Sequence, residues 1–178
     1  MKTALKFENV EKDIIEVLEK AEIAEGGRVL DIGTGMGWMA ASLAKSGYVV
    51  TTIEEKEEFQ DIGKGLAARL GLEDRIEFKV GDITRLYFER NYFDGVVAYD
   101  SLHHIQGVEK VVNVMIASCK KGGKVVIVEL NERGMEIASE FLEGHAYDVV
   151  DPSAIFRRAG LDIQVFPGEI MDVYICKK

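Results

Sequence analysis

The residues with most chemical promise are one carboxylate and three glycines at alternate positions: Asp31, Gly33, Gly35 and Gly37. An apolar run over residues 28–32 predicts a strand that leads into these glycines, and a helix is predicted directly after them. Open α/β sheets bind ligands at the carboxyl ends of their strands. Glycine allows a backbone to take unusual dihedral angles and to approach a ligand closely. The pattern therefore predicts a ligand site built largely from backbone groups.

The spacing of the glycines narrows the choice of ligand. The dinucleotide-binding fingerprint is G-x-G-x-x-G, and here the third glycine comes one residue early. The Gly-Lys-Ser/Thr ending of a phosphate loop is absent. The pattern that fits is D/E-x-G-x-G-x-G, which includes Thr34 between the first two glycines. A tight strand-to-helix turn without a ligand remains the alternative at this point.

Acidic residues follow the next two predicted strands. Glu54, with Glu55 beside it, lies about 20 residues beyond the glycines, where a carboxylate can bind the two hydroxyls of a ribose. The alternative is that Glu54 opens a solvated acidic run. Asp82 follows the third strand and could accept a hydrogen bond from an adenine amino group, with Ile83 packed on the ring. A polar turn is the alternative there.

The string Tyr99-Asp-Ser-Leu-His-His-Ile105 follows the fourth predicted strand, and Lys120-Lys-Gly-Gly precedes the fifth. Together with the glycine turn, these strings resemble the class I S-adenosylmethionine (SAM)-dependent methyltransferases, in particular the type 11 family, over about Val29 to Leu130. Two departures are Lys121 and Tyr87, which stand where the family commonly has proline.

The resemblance implies a doubly wound, Rossmann-like α/β fold with seven strands in the order 3-2-1-4-5-7-6 and strand seven antiparallel. It also implies SAM as the cofactor, with S-adenosylhomocysteine as the product. The methionine part would be bound by Asp31 and the glycine turn, and the ribose by Glu54. The other implied contacts are Asp82 and Ile83 at the adenine, and Tyr99 and Asp100 under the methionine part.

Methyl transfer from SAM requires mainly that the acceptor be held in line with the methyl group. A general base is needed only when the acceptor carries a proton. His103 and His104 are the candidates, and because neighbours on a helix point about 100° apart, only one is expected to face the cavity. Family packing or capping is the alternative. His145, Tyr147 and Asp148 have a weaker claim from a segment that would overhang the acceptor. Trp38 is expected to pack its helix against the sheet, and the alternative is that it covers the cofactor.

Composition limits the remaining possibilities. The chain has 178 residues and a net charge of −9, which favours one domain and disfavours nucleic acid as the substrate. An unidentified small-molecule acceptor is expected, with residues 1–25, including an N-terminal helix over the site, and 131–150 shaping its pocket. Two distant cysteines, no apolar span and no metal-type spacing predict a cytoplasmic protein without a required metal, as a monomer or homodimer.

Strands and helices alternate along the chain. A helix capped by Asn9 is predicted to run to about Ala21, and helices are also expected near 57–70, 108–118 and 133–142. Strands are predicted at 28–32, 48–53, 75–80, 93–99 and 124–130. Asp151 is expected to cap a short helix that begins at Pro152, and residues 161–166 and 170–175 to form a closing hairpin.

Three other functions are compatible with parts of this pattern. A SAM-binding or nucleoside-binding protein without transferase activity would use the same turn. An aminopropyl transferase on the same fold would place acidic residues beside an amine, and Asp100 keeps that possibility open. A nicotinamide-dependent reductase is disfavoured by the early third glycine.

Overall fold

The alternating elements form one seven-stranded sheet in the computed structural model, which describes residues 7–141 and 148–178. The strand order is β3-β2-β1-β4-β5-β7-β6, with β7 antiparallel to both of its neighbours. The predicted fold and the closing hairpin are therefore confirmed. The strands are Arg28–Ile32 (β1), Val49–Glu54 (β2), Ile76–Val80 (β3), Phe93–Tyr99 (β4), Cys119–Leu130 (β5), Ile163–Phe166 (β6) and Met171–Lys177 (β7).

The helices cover the two faces of the sheet. Their bounds are Phe7–Ala21 (α1), Trp38–Lys45 (α2), Glu57–Leu70 (α3), Val108–Ser118 (α4), Glu132–Phe141 (α5) and Ser153–Arg158 (α6). The inner strands are apolar on both faces, as parallel strands between helices must be. Val29, Leu30, Val96 and Val97 are fully buried. Because β1 to β4 run parallel, their carboxyl ends meet at one edge.

Several predicted bounds were shifted by packing. The cap at Asn9 is wrong, because α1 already includes Phe7, whose ring is buried against Ala41 and Leu66. Strand β5 begins at Cys119 rather than at residue 124, because Cys119 pairs with the start of β4 before a register shift.

The start of α6 also differs from the prediction. Pro152 is the N-cap residue, and α6 begins one residue later than predicted. The Asp151 carboxylate accepts a hydrogen bond from Ser153 N at 2.8 Å, so it does satisfy a backbone donor at this end of the helix.

Helix α1 lies on α2 and on one face of the sheet. Its predicted apolar stripe is buried as a set: Val10, Ile14, Val17, Leu18 and Ala21. Within the described ranges, no helix has both the length and the apolar character needed to cross a membrane. Residues 142–147 lie outside those ranges, and so do the candidates His145 and Tyr147.

Candidate functional site

A cavity of about 510 Å³ opens where the first four strands end. Its walls come from the glycine turn after β1, the end of β2, and the loops after β3 and β4. This is the edge at which open α/β sheets bind ligands. Among the predicted residues, those that line it are Gly33, Thr34, Gly35, Glu54, Glu55, Asp82, Ile83, Tyr99, Asp100 and His104.

The glycine turn has the backbone geometry that its sequence predicts. Gly33, Gly35 and Gly37 have φ values of +86°, +48° and +78°, which side chains rarely tolerate. The turn is held to β2 because the backbone N–H groups of Gly33 and Thr34 donate to the carbonyl of Ile53. At Gly35 a Cβ would meet no atom of the described residues within 4 Å, so this part of the turn faces the cavity.

Gly37 has a packing role instead. It is absent from the cavity wall, and a Cβ there would lie 2.8 Å from the Cα of Gly63 in α3. Trp38, at the start of α2, does line the cavity and also packs beside the core cluster under α1.

Asp31 lies behind the cavity rather than on its wall. Its carboxylate is fully buried and accepts a hydrogen bond from Thr52 Oγ1 at 2.7 Å. Thr52 Oγ1 lies 2.7 Å from Thr34 Oγ1, and Thr34 reaches the cavity. Burial raises the pKa of Asp31 to about 7, against the smaller opposing effect of the Thr52 hydrogen bond. Asp31 is thus placed to support the glycine turn through two hydroxyls.

Glu54 and Glu55 both reach the cavity at the end of β2. One oxygen of Glu54 accepts from Gly35 N at 3.3 Å and the other from Lys56 N at 3.1 Å. The Glu54 carboxylate is therefore fixed beside the glycine turn. This is the position from which it could accept hydrogen bonds from a ribose.

Asp82 and Ile83 line the cavity in the loop after β3. Asp82 accepts from Thr84 N at 2.7 Å and lies 3.0 Å from the guanidinium of Arg85. Hydrogen bonds from Thr84 hold the pKa of this carboxyl below its usual range. Ile83 is 5% exposed and belongs to the core cluster beneath the cavity floor. Asp82 thus makes the local contacts of a polar turn and also lines the cavity, so its role as an adenine contact stays a prediction.

The two histidines after β4 occupy different environments. His104 is exposed and lines the cavity, whereas His103 is buried with its Nδ1 2.7 Å from Glu129 Oε2. Their rings lie 4.0 Å apart between centroids. The expectation that one histidine faces the cavity agrees with this geometry, and that residue is His104.

Tyr99 and Asp100 lead into this loop from β4. Burial raises the pKa of the Tyr99 phenol to about 12, with smaller contributions from the charges of Asp100 and Asp13. Asp100 has a φ of +50°, an unusual value for a residue with a side chain, and its side chain is 45% exposed. Such strain persists only where the surroundings hold it, and it is commonest near functional sites.

Glu129, near the end of β5, is a site residue that sequence reasoning missed. It is 1% exposed, and its carboxylate accepts from Ser101 N at 3.0 Å and Leu102 N at 2.6 Å. The signal in the sequence was a single acid that follows the apolar run 125–128. A buried carboxylate requires several donors, so its partners could have been sought at the ends of neighbouring strands.

Glu129 also belongs to a group of three residues whose side chains could ligate a metal ion. Ligand atoms of Asp100, His103 and Glu129 lie within 4.8 Å of one another, a grouping that the spacing in the sequence did not indicate. Both Glu129 oxygens already accept hydrogen bonds from nitrogen donors. Hydrogen bonds from Ser101, Leu102 and His103 already hold this carboxylate, so the group forms a hydrogen-bond network. Asp148, the remaining candidate, is exposed.

Comparison with known proteins identifies the family of this chain. A family model described as a methyltransferase domain matches residues 30–127. Methyltransferase GfsG of Streptomyces halstedii is 28% identical over 83% of this chain and 57% of its own length. Demethylmenaquinone methyltransferase of Clavibacter sepedonicus is 33% identical over 60% of this chain and 42% of its own. The chain therefore spans about half the length of these two relatives.

One similar solved structure matches this chain over almost the full length of both chains. A SAM-dependent methyltransferase from Aquifex aeolicus superposes with a TM-score of 0.73, covering 97% of this chain and 98% of that one. At 18% identity this likeness shows the fold. The family match covers more than half of the chain, from β1 into β5. The chain thus belongs to the type 11 methyltransferase domain family of the class I SAM-dependent methyltransferases, whose cofactor is SAM.

Proposed function

We propose that this chain transfers the methyl group of SAM to a small-molecule acceptor and releases S-adenosylhomocysteine. The observation that carries the proposal is the order of groups along one cavity wall. The open glycine turn after β1, the Glu54 carboxylate after β2 and the Asp82–Ile83 pair after β3 all line it, and these three strands are neighbours in the sheet. In this order, the three groups match the methionine, ribose and adenine parts of the cofactor.

The cofactor contacts can be assigned residue by residue. Gly33, Thr34 and Gly35 offer backbone to the methionine part, with Asp31 supporting the turn from behind. Glu54 would exchange its hydrogen bond from Gly35 for ribose hydroxyls, and Glu55 lies next to it. Gly37 serves this site by allowing the turn to lie against α3.

The acceptor would enter beside the loop after β4. SAM supplies a methyl group on a sulfonium that is already a good leaving group. The chain has to orient the acceptor, exclude water and, for an acceptor that carries a proton, remove it. Tyr99 and Asp100 would lie under the methionine part. His104 is the residue that we assign as the base, since it lines the cavity and imidazole titrates near neutral pH.

A small acceptor in the cytoplasm is the simplest proposal for the substrate. The matched relative from Clavibacter is named for demethylmenaquinone, a small molecule. The net charge of −9 opposes binding to a phosphate backbone. We also propose that the chain acts as one domain, with the N-terminal helix near the acceptor side of the cavity. The proposed transfer requires no metal.

Calorimetric titration with SAM and with S-adenosylhomocysteine tests the proposal first. Micromolar binding is expected, and Glu54→Ala and Gly35→Val should each abolish it while the chain remains folded by circular dichroism. Tyr87→Ala is a matched control, since Tyr87 is 87% exposed and does not line the cavity. Absence of binding to the intact chain would contradict the proposal.

Transfer itself is tested with pooled metabolites. Incubation with SAM labelled in the methyl group should give a labelled small molecule and an equal amount of S-adenosylhomocysteine. Cofactor binding without any turnover in a broad metabolite pool would favour the non-catalytic alternative.

A further inference from the structure

Among the described residues, all hydrogen bonds of the buried Glu129 carboxylate reach across to a single loop. Glu129 lies on β5, and its three nitrogen partners belong to consecutive residues after β4: Ser101 N, Leu102 N and His103 Nδ1. The three distances are between 2.6 and 3.0 Å. Because a carboxylate only accepts hydrogen bonds, Nδ1 of His103 carries the proton in this pair.

The loop that Glu129 holds also touches the glycine turn. Ser101 Oγ donates to the carbonyl of Ile32 at 2.8 Å, at the end of β1. A Cβ on Gly33 would lie only 2.6 Å from the Cβ of Ser101, so the turn and the loop are in direct contact. One buried carboxylate therefore supports two walls of the cavity.

The backbone between the strand and these contacts is strained. Asp100 has a φ of +50° immediately before the residues that Glu129 binds. Conformations of this kind cost about 1–3 kcal/mol and need support from their surroundings. Glu129 provides that support on one side, and the Asp100 N–H donates to the carbonyl of Val128 at 2.8 Å on the other.

The side chains on this loop divide between the cavity and the interior. Asp100, Ser101, His104 and Ile105 line the cavity, while His103 is held by Glu129 beneath it. His103 is thus fixed inward, while its neighbour His104 lies on the cavity wall.

We propose that Glu129 is a positioning residue of the methyltransferase site, which holds the loop after β4 so that Asp100 and His104 face the bound cofactor. This inference rests on the proposed function. Glu129 does not line the cavity, and it acts only through the loop that it anchors.

Three variants of Glu129 test the inference through S-adenosylhomocysteine affinity. Glu129→Ala leaves the buried donors without an acceptor, and we expect at least a tenfold loss of affinity. Glu129→Gln keeps one oxygen for Ser101 N and Leu102 N, and its NH2 group can donate to Nδ1 in the other tautomer of His103. Its affinity should therefore lie within about threefold of wild type. Glu129→Asp is one methylene shorter and should behave like the alanine variant.

A variant elsewhere on the same strand separates positioning from a general loss of stability. Ile127 is fully buried on β5 and does not line the cavity. Ile127→Ala should lower the melting temperature without a change in affinity greater than about twofold. Equal affinity of wild type and all three Glu129 variants would overturn the inference, as would a parallel loss in Ile127→Ala.

The histidine spectra give a second readout that needs no ligand. The chain contains only three histidines. Wild type should show a slowly exchanging, downfield ring N–H signal from His103 Nδ1, which Glu129→Ala should lose. If wild type binds no cofactor, the proposed function fails, and these spectra alone then test the anchor. Absence of the wild-type signal, or its persistence in Glu129→Ala, would overturn the anchoring.

Discussion

Gly37 and Gly63 meet where the glycine turn crosses α3, and neither position has room for a side chain. A Cβ on Gly37 would lie 2.8 Å from Gly63 Cα, and a Cβ on Gly63 would lie 2.7 Å from Thr34 Cγ2. The third glycine of the motif thus serves close packing between the turn and a helix. Gly63, which weakens α3 as a helix residue, is explained by the same contact.

Alanine at Gly63 and Gly65 should change stability in opposite directions. Gly63→Ala should lower the free energy of unfolding by about 1–3 kcal/mol, because the added methyl group overpacks the turn. Gly65 is exposed, and in the part of the chain that the structure describes no atom lies within 4 Å of a Cβ there. Gly65→Ala should therefore raise the free energy of unfolding by up to about 1 kcal/mol. Urea denaturation measures both variants. Stabilisation by both would show that the turn has more room than the structure gives it.

Asp31→Asn should change how stability depends on pH. Burial raises the pKa of Asp31 to about 7 in the folded chain, above its value in the unfolded chain. Below pH 7 the folded chain keeps a proton on Asp31 that the unfolded chain releases. The resulting stabilisation is fully present below the unfolded pKa and is lost as the pH rises through 7. Between pH 5 and 8, wild type should lose up to about 3 kcal/mol relative to Asp31→Asn.

Asp94 provides the control for this measurement. Burial alone would raise the pKa of Asp94, but hydrogen bonds from Lys120 and from Arg28 N lower it overall. This carboxyl is ionised in both states above pH 5, so Asp94→Asn should differ from wild type by a constant amount from pH 5 to 8. A flat difference for Asp31→Asn as well would mean that its carboxyl is ionised throughout.

Most element bounds could be predicted from the sequence because their signals are local, whereas the strand order was implied by the family resemblance. Helices α3 and α4 and strand β4 have the predicted bounds, since helical periodicity and β-branched runs determine them. The start of α1 could not be predicted from the sequence, because Phe7 is buried against Ala41 and Leu66, which are distant along the chain.

The sequence predicted site residues only where a local sequence pattern marks them. The glycine turn and the acids after β2 and β3 do line one cavity. Which of His103 and His104 faces the cavity depends on Glu129, which lies on β5, 26 residues away from His103. The position of Asp31 behind the wall likewise depends on Thr52 in the neighbouring strand. Cross-strand contacts of this kind have no local signature.

Removal of divalent metals should leave the protein unchanged. The Asp100–His103–Glu129 group has metal-ligand atoms, but both Glu129 oxygens are used by nitrogen donors. After dialysis against EDTA, the melting temperature and the affinity for S-adenosylhomocysteine should equal those before dialysis. Added Mg²⁺, Mn²⁺ or Zn²⁺ should not raise either. A rise that wild type shows and Glu129→Gln lacks would identify a metal site at this group.

Replacing each histidine after β4 should separate stability from transfer. His103→Ala leaves the buried Glu129 carboxylate without one partner, and removing a partner from a buried pair costs about 3–5 kcal/mol. His104→Ala changes an exposed side chain and should cost less than about 1 kcal/mol, while it slows methyl transfer to any acceptor that must lose a proton.

The effect of His103→Ala should itself depend on pH. Burial alone would lower the pKa of His103, but the hydrogen bond and the charge of Glu129 outweigh it and raise the pKa overall. A raised pKa stabilises the folded chain fully below the unfolded value, near 6.5, and this contribution is lost as pH rises through the folded value. Urea denaturation at pH 6 and pH 9 should therefore give a larger difference between wild type and His103→Ala at pH 6. A difference that grows toward pH 9 would mean that His103 is neutral in the folded chain, so that it holds Glu129 by a hydrogen bond without a charge.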